Sequence, residues 1–413
     1  MANTIKLGNG NWATKEGSLL AYNDERNNFK PLPFTTTRDT SATVVNKQGL
    51  IETVGSGIPR IDFSDDTNGA LLLEPIATNL VVQSQVFSGY LGNNQIVTDN
   101  SIVSPDGTVT GAILADSGLG GNSGVQVYED VTVDVSSTYT YSVFAKKKDL
   151  NFIALRTAAF TTPGAGQSYF DLNLGTTLGV ATGHTSKIEN YGNGWYRCSI
   201  TFTTDAVVTT GNIFTRLSQN GTSSAVDLDN TSNVYIWGFQ FEKNSYATSY
   251  IKNAGTALGV TRVADTATDS GNSTVINSTE GVLYAEISAL SDDLTQKSIE
   301  ISDSSTNNFV RIDYKNATSN TIRGQVRSGG LITASGSTVF SDIKDFHKIA
   351  ISYKLNDVKL YIDGVLIFTD TSAIMPVGLD TLAFNEDFYG KTKSLQVYTT
   401  ALSDAELTTL TTI

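Results

Sequence analysis

The sequence predicts an all-β protein with two β-sandwiches behind an irregular, β-containing N-terminal region, and three observations indicate this fold class. β-branched and aromatic residues are abundant, as strands favour. Turns are supplied by 36 glycines, whereas only 7 of the 413 residues are proline. Several segments alternate apolar and polar residues with the period of two that a half-buried strand requires.

Composition and charge disfavour several classes of protein. The net charge is −13 and the longest basic run is Lys146–Lys148, so no nucleic-acid partner is expected, because that needs a basic face. No run approaches 18 apolar residues, so we expect no membrane insertion by a helix. The first residues, MANTIKLGNGNWATK, lack the apolar core of a secretory signal. We therefore expect synthesis in a cytoplasm and, for work outside a cell, release by lysis.

The segment GNGWYRCSITFTT predicts one strand of the first sandwich. The only cysteine of the chain, Cys198, falls on the apolar face of this strand, so we expect it to be buried and unable to form an intramolecular disulfide. The polar face begins with Trp195 and Arg197. Residues that share the apolar face are Tyr196, Cys198, Ile200 and Phe202.

A stripe of aromatic residues marks a second strand, NVYIWGFQFE, within the stretch that runs from Asn233 to Ile251. Read with a period of two, one face would carry Tyr235, Trp237, Phe239 and Phe241. The other face is also apolar at its start. A strand that is apolar on both faces is typical of a sandwich interior, so the stripe is predicted to be core or domain junction rather than a sugar-stacking platform.

The last block carries a hairpin and a helix start. In VKLYIDGVLIFTD, the pair Asp363-Gly364 is typical of a type I′ turn. This register would place Leu360 opposite Ile367, and it would leave Tyr361 and Phe368 on the second face. Nearer the end, LSDAEL predicts a helix with a capping box of Ser403 and Glu406, stapled by Leu402 and Leu407.

These patterns divide the chain into four parts. Residues 1–78 are predicted to form an N-terminal attachment region, 79–252 the first sandwich, 253–273 a Gly/Thr/Ala/Ser-rich linker, and 274–413 the second sandwich. No internal repeat of 20–50 residues is visible.

Four segments resemble signatures of tailed-bacteriophage structural appendages of the tail-fibre or head-fibre type. They are TSATVVNKQGLIETVGSGIPRIDF, LLLEPIATNL, NGWYRCSITFT and YIWGFQFEKNSYATSYI, which span roughly residues 40 to 251. The resemblance implies a carbohydrate-binding-like jelly roll for 79–252 and a virion-attachment role for 1–78. It also implies other virion proteins as partners and a homotrimer, although the sequence shows no heptad repeat that would enforce one.

The last block is similar to laminin-G and concanavalin A-like domains. The matching segments are HKIAISYKLNDVKLYIDGVLI and GKTKSLQVYTTALSDAEL. The resemblance implies a second sandwich that is structural, glycan-binding or enzymatic, and fold alone does not choose among these. Some such domains hold a structural calcium ion. No Asp cluster in this sequence matches a calcium-binding loop well enough to assign ligands, so we predict no cofactor and no metal site.

Signs of catalysis are weak. A metal site needs three or four clustered ligands, and neither His184 nor His347 has ligand spacing around it. Concanavalin A-like glucanases carry a Glu-x-Asp-x-x-Glu pattern along one strand, and the nearest segments, AEISALSDD and SIEISDSS, do not reproduce it. We therefore predict no catalytic residue and no enzyme, with a glycosidase as the alternative.

A glycan site is predicted near the turn ENYGNG. Trp195 lies on the polar face of its strand beside Arg197, and Tyr191 and Asn193 lie in the preceding turn. The alternative is that Trp195 packs beneath this turn. Tyr361 and Phe368 are the other aromatic candidates, either for a covered second face or for a subunit interface.

The sequence therefore predicts a non-enzymatic structural component of a phage particle that displays glycan-binding-like domains toward bacterial surface glycans. It would be located in the virion, after synthesis in the host cytoplasm. Two alternatives stay open. One is a polysaccharide depolymerase on the particle, and the other is a purely structural decoration protein without glycan binding.

Overall fold

The computed structural model describes residues 4–15, 18–20, 22–23, 28–29, 33–315, 317–385 and 387–413. The chain forms two compact units. The central unit comprises Ala42–Thr53 and Ala77–Arg262, and the C-terminal unit comprises Met1–Ser41, Val54–Ile76 and Val263–Ile413. The chain thus changes unit four times.

The part of the chain before residue 80 contributes short strands. They are β1 (Ile5–Gly8), β2 (Ala13–Lys15), β3 (Ser18–Leu20), β4 (Tyr22–Asn23), β5 (Asn28–Phe29), β6 (Thr35–Thr37), β7 (Ala42–Val45), β8 (Ile51–Val54), β9 (Ile61–Asp62), β10 (Ala70–Leu73) and β11 (Ala77–Asn79).

Longer strands follow. Up to residue 242 they are β12 (Leu91–Asn93), β13 (Gln95–Val103), β14 (Val109–Asp116), β15 (Asn122–Gly124), β16 (Gln126–Thr132), β17 (Thr138–Lys147), β18 (Phe152–Ala158), β19 (Gly166–Asp171), β20 (Thr176–Thr177), β21 (Thr185–Asn190), β22 (Trp195–Thr203), β23 (Thr210–Ser218), β24 (Ala225–Asp227) and β25 (Asn233–Glu242).

The remaining elements are twelve strands and a helix. They are β26 (Val260–Arg262), β27 (Thr266–Thr268), β28 (Glu280–Ala289), β29 (Lys297–Ser302), β30 (Phe309–Tyr314), β31 (Thr321–Ser328), β32 (Leu331–Val339), β33 (His347–Lys354), β34 (Val358–Ile362), β35 (Val365–Asp370), β36 (Thr381–Asn385), β37 (Gly390–Tyr398) and α1 (Asp404–Thr411). The predicted all-β fold class is confirmed.

The central unit is a sandwich of two six-stranded antiparallel sheets. Sheet 1 has the order β12-β16-β23-β18-β19-β20, and sheet 2 has the order β13-β14-β25-β17-β22-β21. Their inner faces share one apolar core, to which sheet 1 contributes Ile153 and Leu155 and sheet 2 contributes Val143 and Cys198. The core takes alternate residues of a strand, as Ile153 and Leu155 on β18 show, and this accounts for the alternating sequence pattern.

A bulge in β25 corrects the predicted aromatic stripe. Between Ser142 and Phe144 the pairing with β25 shifts by one residue, and Gly238 adopts a left-handed φ of 64°. Phe239 therefore joins the core between the sheets, whereas Trp237 lies in a second cluster on the other face. The predicted core assignment is confirmed, because Trp237, Phe239 and Phe241 are all buried. The predicted common face is wrong, because an inserted residue inverts the alternation.

The C-terminal unit is also a sandwich. Its larger sheet contains β35-β34-β33-β28-β37-β1-β4-β5, with β10 paired to β37 and β9 paired to β10. Its smaller sheet has the order β32-β31-β30-β29-β36. Strand β1 pairs antiparallel with β37, and so does β10. Residues 1–78 are therefore not a separate region, because Ile5 and Leu71 are buried in the same core as Leu395 and Val397.

The segment 253–273 pairs with strands of both units rather than forming a free linker. Within the central unit β26 pairs with β11, and within the C-terminal unit β27 pairs with β6. Just before β27, the Asp265 carboxylate forms ion pairs with Arg38 and Arg60, and Arg60 also pairs with Glu74. These buried charges are mutually compensated, so removing one partner alone would be costly.

The hairpin and helix of the last block form as predicted, with one difference. Asp363 and Gly364 have left-handed φ values of 52° and 80°, as a type I′ turn requires. A register shift then places Leu360 opposite Phe368 instead of Ile367. The capping box of Ser403 and Glu406 is confirmed. No helix in the described part of the chain is long and apolar enough to span a membrane.

Candidate functional site

Trp195, the predicted sugar-stacking residue, belongs to the interior of the central unit. Its side chain is 2% exposed, and it packs with Ile51, Phe144, Trp237 and Tyr250. The indole Nε1 donates a hydrogen bond to the carbonyl oxygen of Val103 at 3.1 Å. The sugar-binding prediction for Trp195 is therefore wrong in this conformation, and the alternative of packing is correct.

Arg197 is equally buried and has a structural role. Its guanidinium donates to the Thr248 carbonyl at 2.6 Å and to Ser142 Oγ at 3.0 Å. It also lies 5.2 Å from the centre of the Phe144 ring. These contacts fix the chain after β25 against β17 and β22. Because only 1% of Arg197 is exposed, its guanidinium is not at the surface where the prediction placed it.

The two turn residues predicted with Trp195 are held by contacts within the central unit. The Tyr191 ring meets the Phe144 ring edge-on, at 4.8 Å between centroids. Asn193 is exposed at a left-handed φ of 50°, and its carbonyl accepts a hydrogen bond from Lys146 Nζ at 2.7 Å. The four predicted residues are neighbours, but together they close one end of β22 around a packed indole.

The second pair of aromatic candidates is separated by the hairpin bulge. Tyr361 is buried beneath α1 with Leu402 and Leu407. The second face of the hairpin is therefore covered at this residue. Phe368 is half-buried and packs against the core between the two sheets of the C-terminal unit. Its ring sits over Gly336, where a Cβ would lie 2.3 Å from Phe368 Cβ.

A surface cavity of about 500 Å³ lies instead on sheet 1 of the central unit. Its position follows from the alternation of the strands, since the residues between the core positions point to the outer face. Across this face, β-pairing aligns one row of side chains in neighbouring strands. The row consists of Asn93, Gln126, Arg216, Ala154 and Tyr169.

A second row lies two residues further along each strand. It contains Leu91, Tyr128, Phe214, Arg156 and Gln167. The rings of Tyr128 and Phe214 stack at 4.9 Å between centroids with an angle of 29° between planes. The Arg156 guanidinium lies 4.9 Å from the centre of the Phe214 ring. This row places the half-buried Tyr128 ring beside the polar cavity, with the buried Phe214 ring between it and Arg156.

The cavity lining is polar and contains two arginines. Its side chains include Asn93, Asn94, Ser123, Gln126, Arg156 and Arg216. Arg216 Nη1 donates to Gln167 Oε1 at 3.0 Å, and Gln167 in turn donates to the Tyr169 hydroxyl at 2.5 Å. Burial, and then the charge of Arg156, lower the pKa of Arg216. The site thus holds two like charges close together in a partly desolvated setting.

Titratable groups elsewhere are engaged in structure. The buried His184 ring lies between Thr157 Oγ1 at 2.9 Å and Ser168 Oγ at 3.0 Å, and burial lowers its pKa to about 4. His347 Nδ1 contacts Asp363 Oδ2 at 2.6 Å, at the hairpin turn. Burial raises the pKa of the Cys198 thiol. Over the described residues, no group of three or more His, Cys, Asp or Glu side chains could hold a metal ion.

The acidic segment SIEISDSS supplies a carboxylate to the outer face of the smaller sheet in the C-terminal unit. Glu300 Oε1 accepts a hydrogen bond from Asn385 at 2.6 Å. On the neighbouring strand, Asp313 forms ion pairs with both Arg311 and Arg323 at 2.9 Å. These carboxylates are held by partners of their own rather than facing each other across a cavity.

Comparison with known proteins gives similar solved structures but no sequence match. No protein-family model matches the sequence, and no curated protein does. The CBM40 domain of the Ruminococcus gnavus IT-sialidase, solved with α2,3-sialyllactose, is 18% identical over 35% of this chain and 93% of that chain, with a TM-score of 0.29. Domain 4 of a Geobacillus stearothermophilus arabinanase, solved with arabinotriose, is 15% identical over 41% and 83%, with a TM-score of 0.31.

A third similar structure is the LG4-5 pair of the mouse laminin α1 chain. It is 10% identical over 67% of this chain and 88% of that chain, with a TM-score of 0.23. The neighbours thus include carbohydrate-binding and laminin-G modules, and the ligands named for them are properties of those proteins.

Proposed function

We propose that the chain is a non-enzymatic structural component of a phage particle, of the head-fibre or tail-fibre type, and that its central unit binds saccharides of the bacterial surface. The observation that carries the binding proposal is the polar cavity of about 500 Å³ on the outer face of sheet 1. The virion part of the proposal is supported by the appendage-like segments of the sequence.

The cavity has the size and chemistry of a small-ligand site. Ligand pockets commonly measure roughly 300–1,000 Å³, so this one suits one or two sugar rings. Amide groups of Asn93, Asn94 and Gln126 offer both donors and acceptors to hydroxyl groups. The neighbouring half-buried Tyr128 ring, which stacks on the buried Phe214 ring, offers an apolar surface for a ring face. Because Asn93 and Gln126 stand on paired strands, little backbone freedom is lost when a ligand binds.

A site of this kind binds weakly on its own, and a particle compensates by presenting many copies. Linking several sites raises avidity roughly 10²–10⁴-fold without any new contact. A homotrimer within the virion, bound to other virion proteins, would supply that linkage. Mass photometry of the purified chain tests the trimer, and proteomics of purified particles tests the virion assignment.

Saccharide binding is tested with the full chain on an array of bacterial surface polysaccharides. Asn93→Trp adds a bulky side chain at the rim of the cavity without changing charge, so it should abolish capture. Asn151→Trp places the same side chain at another exposed position of the central unit and should bind as the unaltered chain does. Capture of no polysaccharide would leave the decoration alternative, and release of reducing ends from a captured one would favour the depolymerase.

A further inference from the structure

We infer that the cavity on sheet 1 selects saccharides that carry an anionic group, and that Arg156 and Arg216 bind this group together. The inference rests on the proposed saccharide binding and adds a chemical class of ligand to it. The common chemistry is a carboxylate, as in uronic and sialic acids, or a phosphate, as in glycerol-phosphate polymers.

The two arginines are uncompensated, which is unusual in so acidic a chain. The protein has 41 acidic and 28 basic residues, yet none of the described residues that line the cavity is acidic. Elsewhere, Arg38, Arg60 and Arg323 each form an ion pair with a carboxylate. Within the described parts of the chain, Arg156 and Arg216 have no carboxylate within 4 Å, so an external anion would meet two unneutralised charges.

Both guanidinium groups are already positioned. Arg216 is oriented by its hydrogen bond to Gln167, and Arg156 lies against the Phe214 ring. Arg216 Nε is buried and has no hydrogen-bond partner among the described residues. Side chains that are already positioned lose little rotamer entropy on binding. The entropy cost therefore takes little from the favourable free energy of binding an anion.

The register places the two groups where one anion can contact both. Arg216 on β23 is paired with Ala154 on β18, and Arg156 follows two residues later on the same face. Such diagonal neighbours in adjacent strands stand roughly 7–8 Å apart at Cα, within reach of long side chains. An anion between the two guanidinium groups would also relieve their mutual repulsion.

The position of the Arg216 guanidinium requires a glycine at residue 124. A Cβ at this position would lie 2.3 Å from Arg216 Nη2, so the guanidinium occupies space that any other residue would fill. Since the clash falls on the terminal atoms of a long side chain rather than on backbone, Gly124→Ala should push the guanidinium out of its present position with little loss of stability. This substitution moves one charge of the site without removing it.

The test measures affinity of the full chain by calorimetric titration for matched probes. Oligogalacturonate is compared with its methyl ester, 3′-sialyllactose with lactose, and poly(glycerol phosphate) with glycerol. We expect each acidic probe that binds to bind at least 10-fold more tightly than its neutral partner. Arg156→Gln, Arg216→Gln and Gly124→Ala should each weaken that binding about 10-fold or more, as loss of a charge-assisted hydrogen bond does. Thermal unfolding of each variant verifies that it is folded.

Lys252→Gln is the matched control, because it removes one exposed positive charge of the central unit outside the cavity. It should leave affinity unchanged. Equal binding of acidic and neutral probes, lost in Asn93→Trp, would overturn the anion inference and leave saccharide binding intact. Acid-selective binding that survives in all three cavity variants would overturn the role of the arginines. No binding of any probe, together with no capture on the array, would overturn the proposed function itself.

Discussion

The bulge at Gly238 should contribute strongly to the stability of the central unit, and Gly238→Ala tests this. A Cβ at this position would lie 2.7 Å from Phe144 Cδ2. The Phe144 ring cannot easily yield, because it is fully buried and has the rings of Trp237 and Tyr250 around it at 5.2 and 6.1 Å between centroids. The backbone is also left-handed there, with φ of 64°, which an L-residue adopts only with strain.

Two costs add in this variant. The left-handed conformation costs an alanine about 1–2 kcal/mol, and overpacking a buried ring costs about 1–3 kcal/mol. The free energy of unfolding should therefore fall by about 2–5 kcal/mol. The matched control is Gly49→Ala, in the same unit. Gly49 has a φ of 76°, but nothing lies within 4 Å of a Cβ there, so only the backbone cost of about 1–2 kcal/mol applies.

The assay is denaturant unfolding of the full chain followed by tryptophan fluorescence. Two of the three tryptophans, Trp195 and Trp237, belong to the central unit, so the signal reports mainly on it. The decisive quantity is the difference between the two variants. If Gly238→Ala loses no more stability than Gly49→Ala, the steric reasoning at the bulge is wrong.

Three other predictions concern stability. Trp195→Ala should lower the free energy of unfolding by about 3–5 kcal/mol, as removal of a buried aromatic does, and any loss of sugar capture on the array should parallel the unfolded fraction seen by circular dichroism. The pKa of His184 is lowered to about 4, so the unfolded chain takes up a proton more readily. Stability should fall by up to about 3 kcal/mol as pH drops from 6.5 to 4, and denaturant titrations should show a shallower fall in His184→Gln. Ser403→Ala removes the N-cap of α1 and should cost about 1 kcal/mol in calorimetry of the full chain, whereas an unchanged transition would contradict the cap.

Local patterns in the sequence were sufficient to predict several elements. Alternation placed Cys198 in the core, the pair Asp363-Gly364 located a hairpin, and the capping box located α1. Each of these depends on residues that are close in sequence. The bulges were not predictable, because period-two alternation assumes a regular strand and Gly238 also fits an ordinary one. One inserted residue then moved Trp237 and Phe239 to opposite faces.

Long-range pairing explains the remaining differences. Strand β1 has four residues, too few to show where it pairs, yet it lies beside β37 almost four hundred residues later. The cavity on sheet 1 was not predicted for the same reason, since residues far apart in sequence line it. The segment GNIFTRLSQ alternates Asn212, Phe214 and Arg216 with residues of the core, so an outer face that carries an arginine was visible in the sequence. Whether this face belongs to a site depends on Arg156, Gln126 and Asn93, which three other strands supply.

The location of the cavity is consistent with the way the two faces of the unit are used. The outer face of sheet 2 is occupied by the packed cluster of Phe144, Trp195 and Trp237, so its aromatics serve stability. Sheet 1 instead carries the polar cavity, with half-buried arginines on the adjoining strands β18 and β23. Because burying an uncompensated charge is costly, a sheet that only supported the fold would be expected to neutralise these guanidinium groups with carboxylates, as the C-terminal unit does at Asp313. Retaining them unpaired beside an open cavity is what a binding surface for an anionic ligand requires, and this points to sheet 1 rather than to the aromatic-rich sheet 2 as the functional face.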